Sequence, residues 1–192
     1  MDRRPGLIVL DRDGVLNQTV PNPAEPRPDS PLRAGEVVVF PWVPAALRRL
    51  GDAGFGLVVA SNQPAWAKGK TSREDIDQVH RLIVAGAESA GAAILSSHLC
   101  LHRADDGCGC RKPRTGLLEA AFGLHPQYAP AASWMVGDRA TDVVAGAAFG
   151  LQTALLGPLD DRDVALLDER QVRPSFRGTD LRDFVDYLLG HK

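Results

Sequence analysis

Leu7-Ile8-Val9-Leu10-Asp11-Arg12-Asp13-Gly14 decides the reading of this chain. An uninterrupted apolar run passes directly into two carboxylates and a glycine. A short continuous apolar run is how a strand buried on both faces reads, and such strands belong to parallel sheets covered by helices. Carboxylates at spacing two share one side if extended geometry persists, and Gly14 lets the chain turn sharply away. Like charges so close raise one pKa unless a cation compensates them. A lone Asp-x-Asp-Gly also fits a turn with solvated aspartates; the buried strand before it and Asn17 after it weigh against that.

Outward from this stretch, the same alternation recurs. Residues 43–53 carry Leu47 and Leu50 at helical spacing and stop at Gly54, and residues 55–60 form a second apolar run ending in Ser61-Asn62. That predicts strand, crossover helix, strand. Residues 72–91 predict a helix with Ser72 as N-cap and Asp75 in its first turn. A strand is expected over 93–99, a helix over 114–122, a strand over 133–136 and a helix over 141–149 closed by Gly150. A fifth strand is expected over 151–156, then a helical turn over 164–169 and a last helix capped by Thr179. The fold class is therefore α/β, with a central parallel sheet of about five strands. Residues 18–36 stand apart, because Pro21, Pro23, Pro26, Pro28 and Pro31 forbid a regular helix and discourage a central strand. A loop this long directly after Asp11-Arg12-Asp13 is expected to lie over the active site.

Composition narrows the classes. At 192 residues, 44% hydrophobic and 24% charged, the chain reads as one domain over 1–192, with 158–192 as a C-terminal extension. A formal net charge of -2 provides no global field to hold a polyanion, so nucleic acid is not expected as a partner. The longest apolar stretch, 37–47, contains Pro41 and Pro44 and falls short of the roughly 20 residues that span a bilayer. Met1-Asp2-Arg3-Arg4 leads into no long apolar segment or cleavage site. These features predict a cytoplasmic monomer that meets no membrane.

In an open parallel sheet, ligands bind beyond the carboxyl ends of the strands. Here those ends carry Asp11, Ser61-Asn62 and Gly137-Asp138, with Asp142 one helical turn later. Asp138 and Asp142 could hold a hard divalent cation directly and through water, although Asp142 alone also suits a helix N-terminus. Ser61 offers a hydroxyl to an anion and Lys112 a mobile positive charge.

The ordered set Asp11-Arg12-Asp13-Gly14-x-Leu16-Asn17, Ser61-Asn62-Gln63, Arg111-Lys112-Pro113 and Gly137-Asp138-x-x-x-Asp142 resembles the haloacid dehalogenase superfamily of phosphohydrolases over roughly residues 6–157. The resemblance implies a three-layer Rossmann-like fold, here without a cap domain. It also implies a nucleophile at Asp11, a general acid/base at Asp13, phosphate contacts from Ser61 and Lys112, and Mg2+ held by Asp11, the Asp13 carbonyl and Asp138.

All three cysteines lie within one loop: Cys100-Leu101-His102, five residues, then Cys108-Gly109-Cys110. Three thiolates and one imidazole complete a tetrahedral structural Zn2+ site with no position left for water. Such a loop followed by Arg-Lys-Pro resembles the small, capless branch of the superfamily that acts on heptose bisphosphates and histidinol phosphate. Carried over from it, Ser61, Asn62, Gln63, Pro64, Arg111, Lys112 and Arg139 would contact phosphate and sugar, Arg139 standing where that branch has lysine. The expected partner is a small phosphorylated metabolite, with a heptose bisphosphate ahead of histidinol phosphate. A polynucleotide 3'-phosphatase is disfavoured by an aromatic content of 6%. A non-catalytic zinc-stapled binding module would not need both Asp11 and Asp13. His80, His98, His125 and His191 lack ligand partners and read as structural or surface residues.

Overall fold

A computed structural model describes residues 6–23 and 27–190. The tetrapeptide Met1-Asp2-Arg3-Arg4, Pro26 and His191 lie outside the described residues.

The apolar runs become parallel strands: β1 (Leu7–Leu10), β2 (Gly56–Asn62), β3 (Ile94–Cys100), β4 (Trp134–Gly137), β5 (Gln152–Leu156) and β6 (Phe176–Gly178). Their order across the sheet is β3-β2-β1-β4-β5-β6. The chain builds outward from β1 in one direction and then, from β4, in the other, so strand order reverses between β1 and β4. That crevice is where an open parallel sheet offers a ligand site.

Helices α1 (Val43–Asp52), α2 (Arg73–Ala87), α3 (Gly116–Leu124), α4 (Ala140–Phe149), α5 (Asp161–Glu169) and α6 (Leu181–Leu189) cover both faces. Alternation along β1 shows the layering. Ile8 and Leu10 pack with Leu47, Leu50, Val79, Ile83 and Phe184 on one face. Leu7 and Val9 pack with Leu117, Leu118, Ala121 and Ala145 on the other. Successive strand side chains point to opposite faces, so an all-apolar strand needs helices on both.

Several sequence expectations shift. Beside the five strands expected, the described residues form a sixth: β6 joins β5 through the pairs Ala154↔Phe176, Leu155↔Arg177 and Leu156↔Gly178. Three residues are too few to show an alternation. The third helix begins at Gly116 rather than Arg114, because 111–115 form turns leading out of the cysteine loop. Ser72 caps α2 as expected, its hydroxyl accepting the Asp75 N–H at 3.0 Å. The last helix is capped by Asp180, not Thr179: Asp180 Oδ1 accepts the Arg182 N–H at 2.8 Å, while the Thr179 N–H donates to Asp183 Oδ2 at 2.7 Å. The segment read as an extension completes the sheet and core, with Phe184 and Val185 fully buried. No helix among the described residues is long and apolar enough to cross a membrane.

Candidate active site

β1 and β4 end side by side, and the Asp11 N–H donates to the Val136 carbonyl at 2.8 Å, locking the first residue beyond β1 against β4. Asp138 follows β4 directly. Asp142 lies in the first turn of α4, where its Oδ2 accepts the Arg139 N–H at 3.0 Å. Together these three elements bring carboxylate oxygens of Asp11, Asp138 and Asp142 within 4.8 Å of one another. Two glycines make room for them. A Cβ at Gly14 (φ +81°) would stand 2.2 Å from Asp138 Oδ2, and one at Gly137 2.2 Å from the Asp142 carboxylate.

Lys112 reaches the same place from the turn after the cysteine loop. It is not the mobile charge read from the sequence, since only 2% of it is exposed and it is held by close partners. Its Nζ donates to the Ala60 carbonyl at 2.7 Å and lies 3.2 Å from Asp11 Oδ1 and 2.5 Å from Asp142 Oδ1. Burial pulls its pKa down, but Asp11 and Asp142 outweigh that and hold the ammonium above the ordinary lysine range. One ammonium among three carboxylates leaves negative charge uncompensated. Burial, reinforced by Asp11 and Asp142, pushes Asp138 well above the usual carboxylate range. Burial likewise lifts Asp142 to about 7 against the pull of Lys112. A buried all-oxygen cluster with surplus negative charge is the donor set that suits a hard divalent cation such as Mg2+.

Asp13 faces a different set. Its Oδ1 accepts from Asn17 Nδ2 at 2.9 Å and Arg12 Nε at 3.3 Å. Its Oδ2 accepts from Gln63 Nε2 at 2.6 Å, Ser30 Oγ at 2.8 Å and Arg12 Nη2 at 3.1 Å. Burial alone would raise its pKa; Arg12, Asn17 and Gln63 outweigh it, and the net shift is downward.

The other predicted contacts separate into groups. Ser61 is buried at the end of β2, its Oγ accepting from Gln63 Nε2 at 3.0 Å. Asn62 ties β2 to the Arg-Lys-Pro turn, donating to the Lys112 carbonyl at 3.0 Å and accepting the Lys112 N–H at 3.1 Å. Gln63 is buried and committed to Asp13, Ser61 and Arg12, while the Pro64 carbonyl accepts the Lys68 N–H at 2.9 Å. Arg111 Nη1 donates to the His102 carbonyl at 3.3 Å. Arg139 turns to Asp163, Nε to Oδ2 at 3.0 Å. Asp163 and Asp160 are also the partners of Arg27 in the Pro-rich loop.

Sequence reasoning missed Arg12 and Ser30. Arg12 is 1% exposed, its guanidinium shared between Asp13 and Gln63 Oε1, the latter at 2.6 Å. An arginine between two strand-end aspartates was the available signal, since a charge there is buried only if paired. For Ser30 the sequence offered only the Pro-rich setting.

In the cysteine loop, Cys100 Sγ lies 3.8 Å from Cys108 Sγ and 3.2 Å from Cys110 Sγ. His102 Nδ1 lies 3.6 Å from Cys100 Sγ and 3.3 Å from Cys110 Sγ. No sulfur pair is bonded, and all three cysteines are free. Metal–sulfur bonds of about 2.3 Å give a tetrahedron with edges of about 3.8 Å, so the spacing and the donors fit Zn2+. Burial pushes the Cys100 thiol up to about 12.

Comparison with known proteins agrees with this geometry. The family model for HAD-hydrolase-like proteins matches residues 109–184. The chain is 32% identical over 155 residues to the D-glycero-β-D-manno-heptose-1,7-bisphosphate 7-phosphatase of Pseudomonas putida, covering 78% of this chain and 81% of that protein. It is 32% identical over 170 residues to the D-glycero-α-D-manno-heptose-1,7-bisphosphate 7-phosphatase of Mycobacterium tuberculosis, covering 82% of this chain and 83% of the other. The crystal structure of D,D-heptose 1,7-bisphosphate phosphatase from B. bronchiseptica, complexed with magnesium and phosphate, superposes with a TM-score of 0.78 at 28% identity, covering 96% of this chain and 98% of that one. With its aspartates at the strand-order reversal and relatives matched along most of their length, the chain belongs to the haloacid dehalogenase-like hydrolase family and is one of its phosphatases.

Proposed function

We propose that the enzyme removes the 7-phosphate of a D-glycero-D-manno-heptose 1,7-bisphosphate through an aspartyl-phosphate on Asp11. The observation that carries the reading is the group Asp11, Asp138, Asp142 and Lys112, whose close carboxylate oxygens and ammonium suit a nucleophile, a cation site and a fixed positive charge at one point. The relatives supply the substrate class.

An oxygen of Asp11 attacks phosphorus in line as the phosphorus–ester oxygen bond breaks, and Asp13 gives its proton to the departing alkoxide. Asp13 then takes a proton from water, which attacks the aspartyl-phosphate and releases inorganic phosphate and the free Asp11 carboxylate. Lys112 holds the nucleophile in place and offsets charge on the transferring group, with Ser61 and Asn62 beside it. Asp11, Asp138 and the Asp13 carbonyl would hold Mg2+, which when bound neutralises phosphoryl charge so that an anionic nucleophile can approach. Pro64, Arg111 and Arg139 would contact the substrate, and the cysteine loop would hold a structural Zn2+.

The two relatives differ in the anomer they are named for, so the test must include both. Phosphate release with Mg2+ is compared by kcat/KM for the α and β heptose 1,7-bisphosphates, histidinol phosphate and a 3'-phosphorylated oligonucleotide. A heptose bisphosphate is expected to lead; a preference for histidinol phosphate overturns the substrate. Asp11→Asn is expected to abolish turnover on every substrate, and activity retained in that variant sinks the covalent mechanism.

A further inference from the structure

The Pro-rich segment is not loose chain beside the site. The main chains of Val20 and Asp29 exchange hydrogen bonds of 2.8 and 2.9 Å, closing it into a hairpin. Asp29 accepts from Lys70 Nζ at 2.6 Å, and Thr71 Oγ1 donates to the Leu32 carbonyl at 2.9 Å. Arg27, on the other flank, is paired with Asp160 and, at 3.2 Å, with Asp163. Ser30 therefore sits between two anchor points on the β2–α2 connection, in a hairpin also tied to the start of α5. Its hydroxyl points at the site and donates to Asp13 Oδ2 at 2.8 Å.

Among the described partners of Asp13, Arg12, Asn17 and Gln63 come from the ends of β1 and β2; Ser30 alone comes from the hairpin. Arg12 and the two amides meet Asp13 through N–H groups, which only donate. A hydroxyl both donates and accepts, so Ser30 can stay bonded to this carboxyl before and after the proton leaves.

We propose that Ser30 is a positioning residue for Asp13: the anchored hairpin uses this hydroxyl to aim Oδ2 at the leaving-group oxygen and then at the attacking water. The inference rests on the phosphatase mechanism above, with Asp13 as the group that moves the proton.

The test compares full-length wild type, Ser30→Ala and Ser30→Thr with Mg2+, on a heptose bisphosphate and on p-nitrophenyl phosphate. For the sugar substrate, Ser30→Ala is expected to lower kcat about tenfold, the worth of one hydrogen bond to a charged group, with KM within about twofold. Ser30→Thr keeps the hydroxyl and is expected to recover kcat to within about threefold of wild type. Nitrophenolate departs without a proton, so in Ser30→Ala the first step is spared and water activation is slowed. Rapid mixing should then show a burst of nitrophenolate. An unchanged kcat, a rise in KM alone, slowing without a burst, or Ser30→Thr as impaired as Ser30→Ala each overturns the proposal. The unfolding midpoint in urea separates a folding defect from these readouts. A wild type that hydrolyses neither substrate refutes the proposed function and takes this inference with it, whereas active wild type with an unaffected Ser30→Ala refutes the inference alone.

Discussion

Lys112 is a buried cation whose removal costs more than a contact. Its ammonium is the close counter-charge to both Asp11 and Asp142. Deleting one partner of a buried ion pair leaves uncompensated charge and typically costs about 3–5 kcal/mol. Lys112→Met is expected to lose that much in urea unfolding and to lose turnover; a variant as stable as wild type would show that solvent or relaxation screens the carboxylates. His80, on α2, gives a second effect at this scale. Burial, helped by the charge of Arg12, lowers its pKa from 6.5 to about 4. Between those values the unfolded chain binds the proton and the folded chain does not. The contribution of His80 is therefore intact above pH 6.5 and is lost as pH falls toward about 4. The urea midpoint at pH 7 and pH 4.5 checks this: His80→Gln should lose less stability on acidification than wild type, and equal losses would assign the acid sensitivity elsewhere.

At the scale of elements, the cysteine loop and the hairpin are two polar segments held by different means. The loop has little apolar material of its own, so binding of the proposed Zn2+ and ordering of the loop would form one equilibrium. About one equivalent of zinc per chain is expected by elemental analysis. Cys110→Ser should release it and lower the thermal midpoint; purified active protein without zinc would refute the assignment. The clustering of Cys100, His102, Cys108 and Cys110 was legible in sequence because thiols and imidazole at short spacing have few other uses. β1, β2 and β4 were legible for a similar reason, being apolar runs that stop at Asp11, Asn62 and Asp138. β6 was not, because it is held by main-chain pairing to β5 rather than by a pattern in its own residues. Arg12 escaped because a guanidinium reads as exposed until its partners Asp13 and Gln63 are placed. Ser30 escaped because its bond to Asp13 spans 17 residues of proline-rich chain with no period to follow.

At the scale of the molecule, the C-terminal α6 is part of the core. Phe184 is fully buried, with its ring 5.2 Å from Trp134 on β4 and 5.9 Å from Phe176 on β6. Phe184→Ala is expected to cost about 3–5 kcal/mol of unfolding free energy, the range for emptying a buried aromatic site. Because α6 stands apart from the carboxylates, the folded fraction should keep its kcat; a loss of kcat in fully folded variant would link α6 to the site. One feature of the sheet also bears on how this protein could be re-engineered. The last register pair of β2 with β3 joins Asn62 to Cys100, so the residue that brings the first sulfur of the cluster is also the final rung of the ladder that carries Ser61 and Asn62. There is no spacer between the two. A loop of another length or ligand order cannot be spliced in as an interchangeable module: the graft must bring its own β3 register, or the seam will fall inside the catalytic frame.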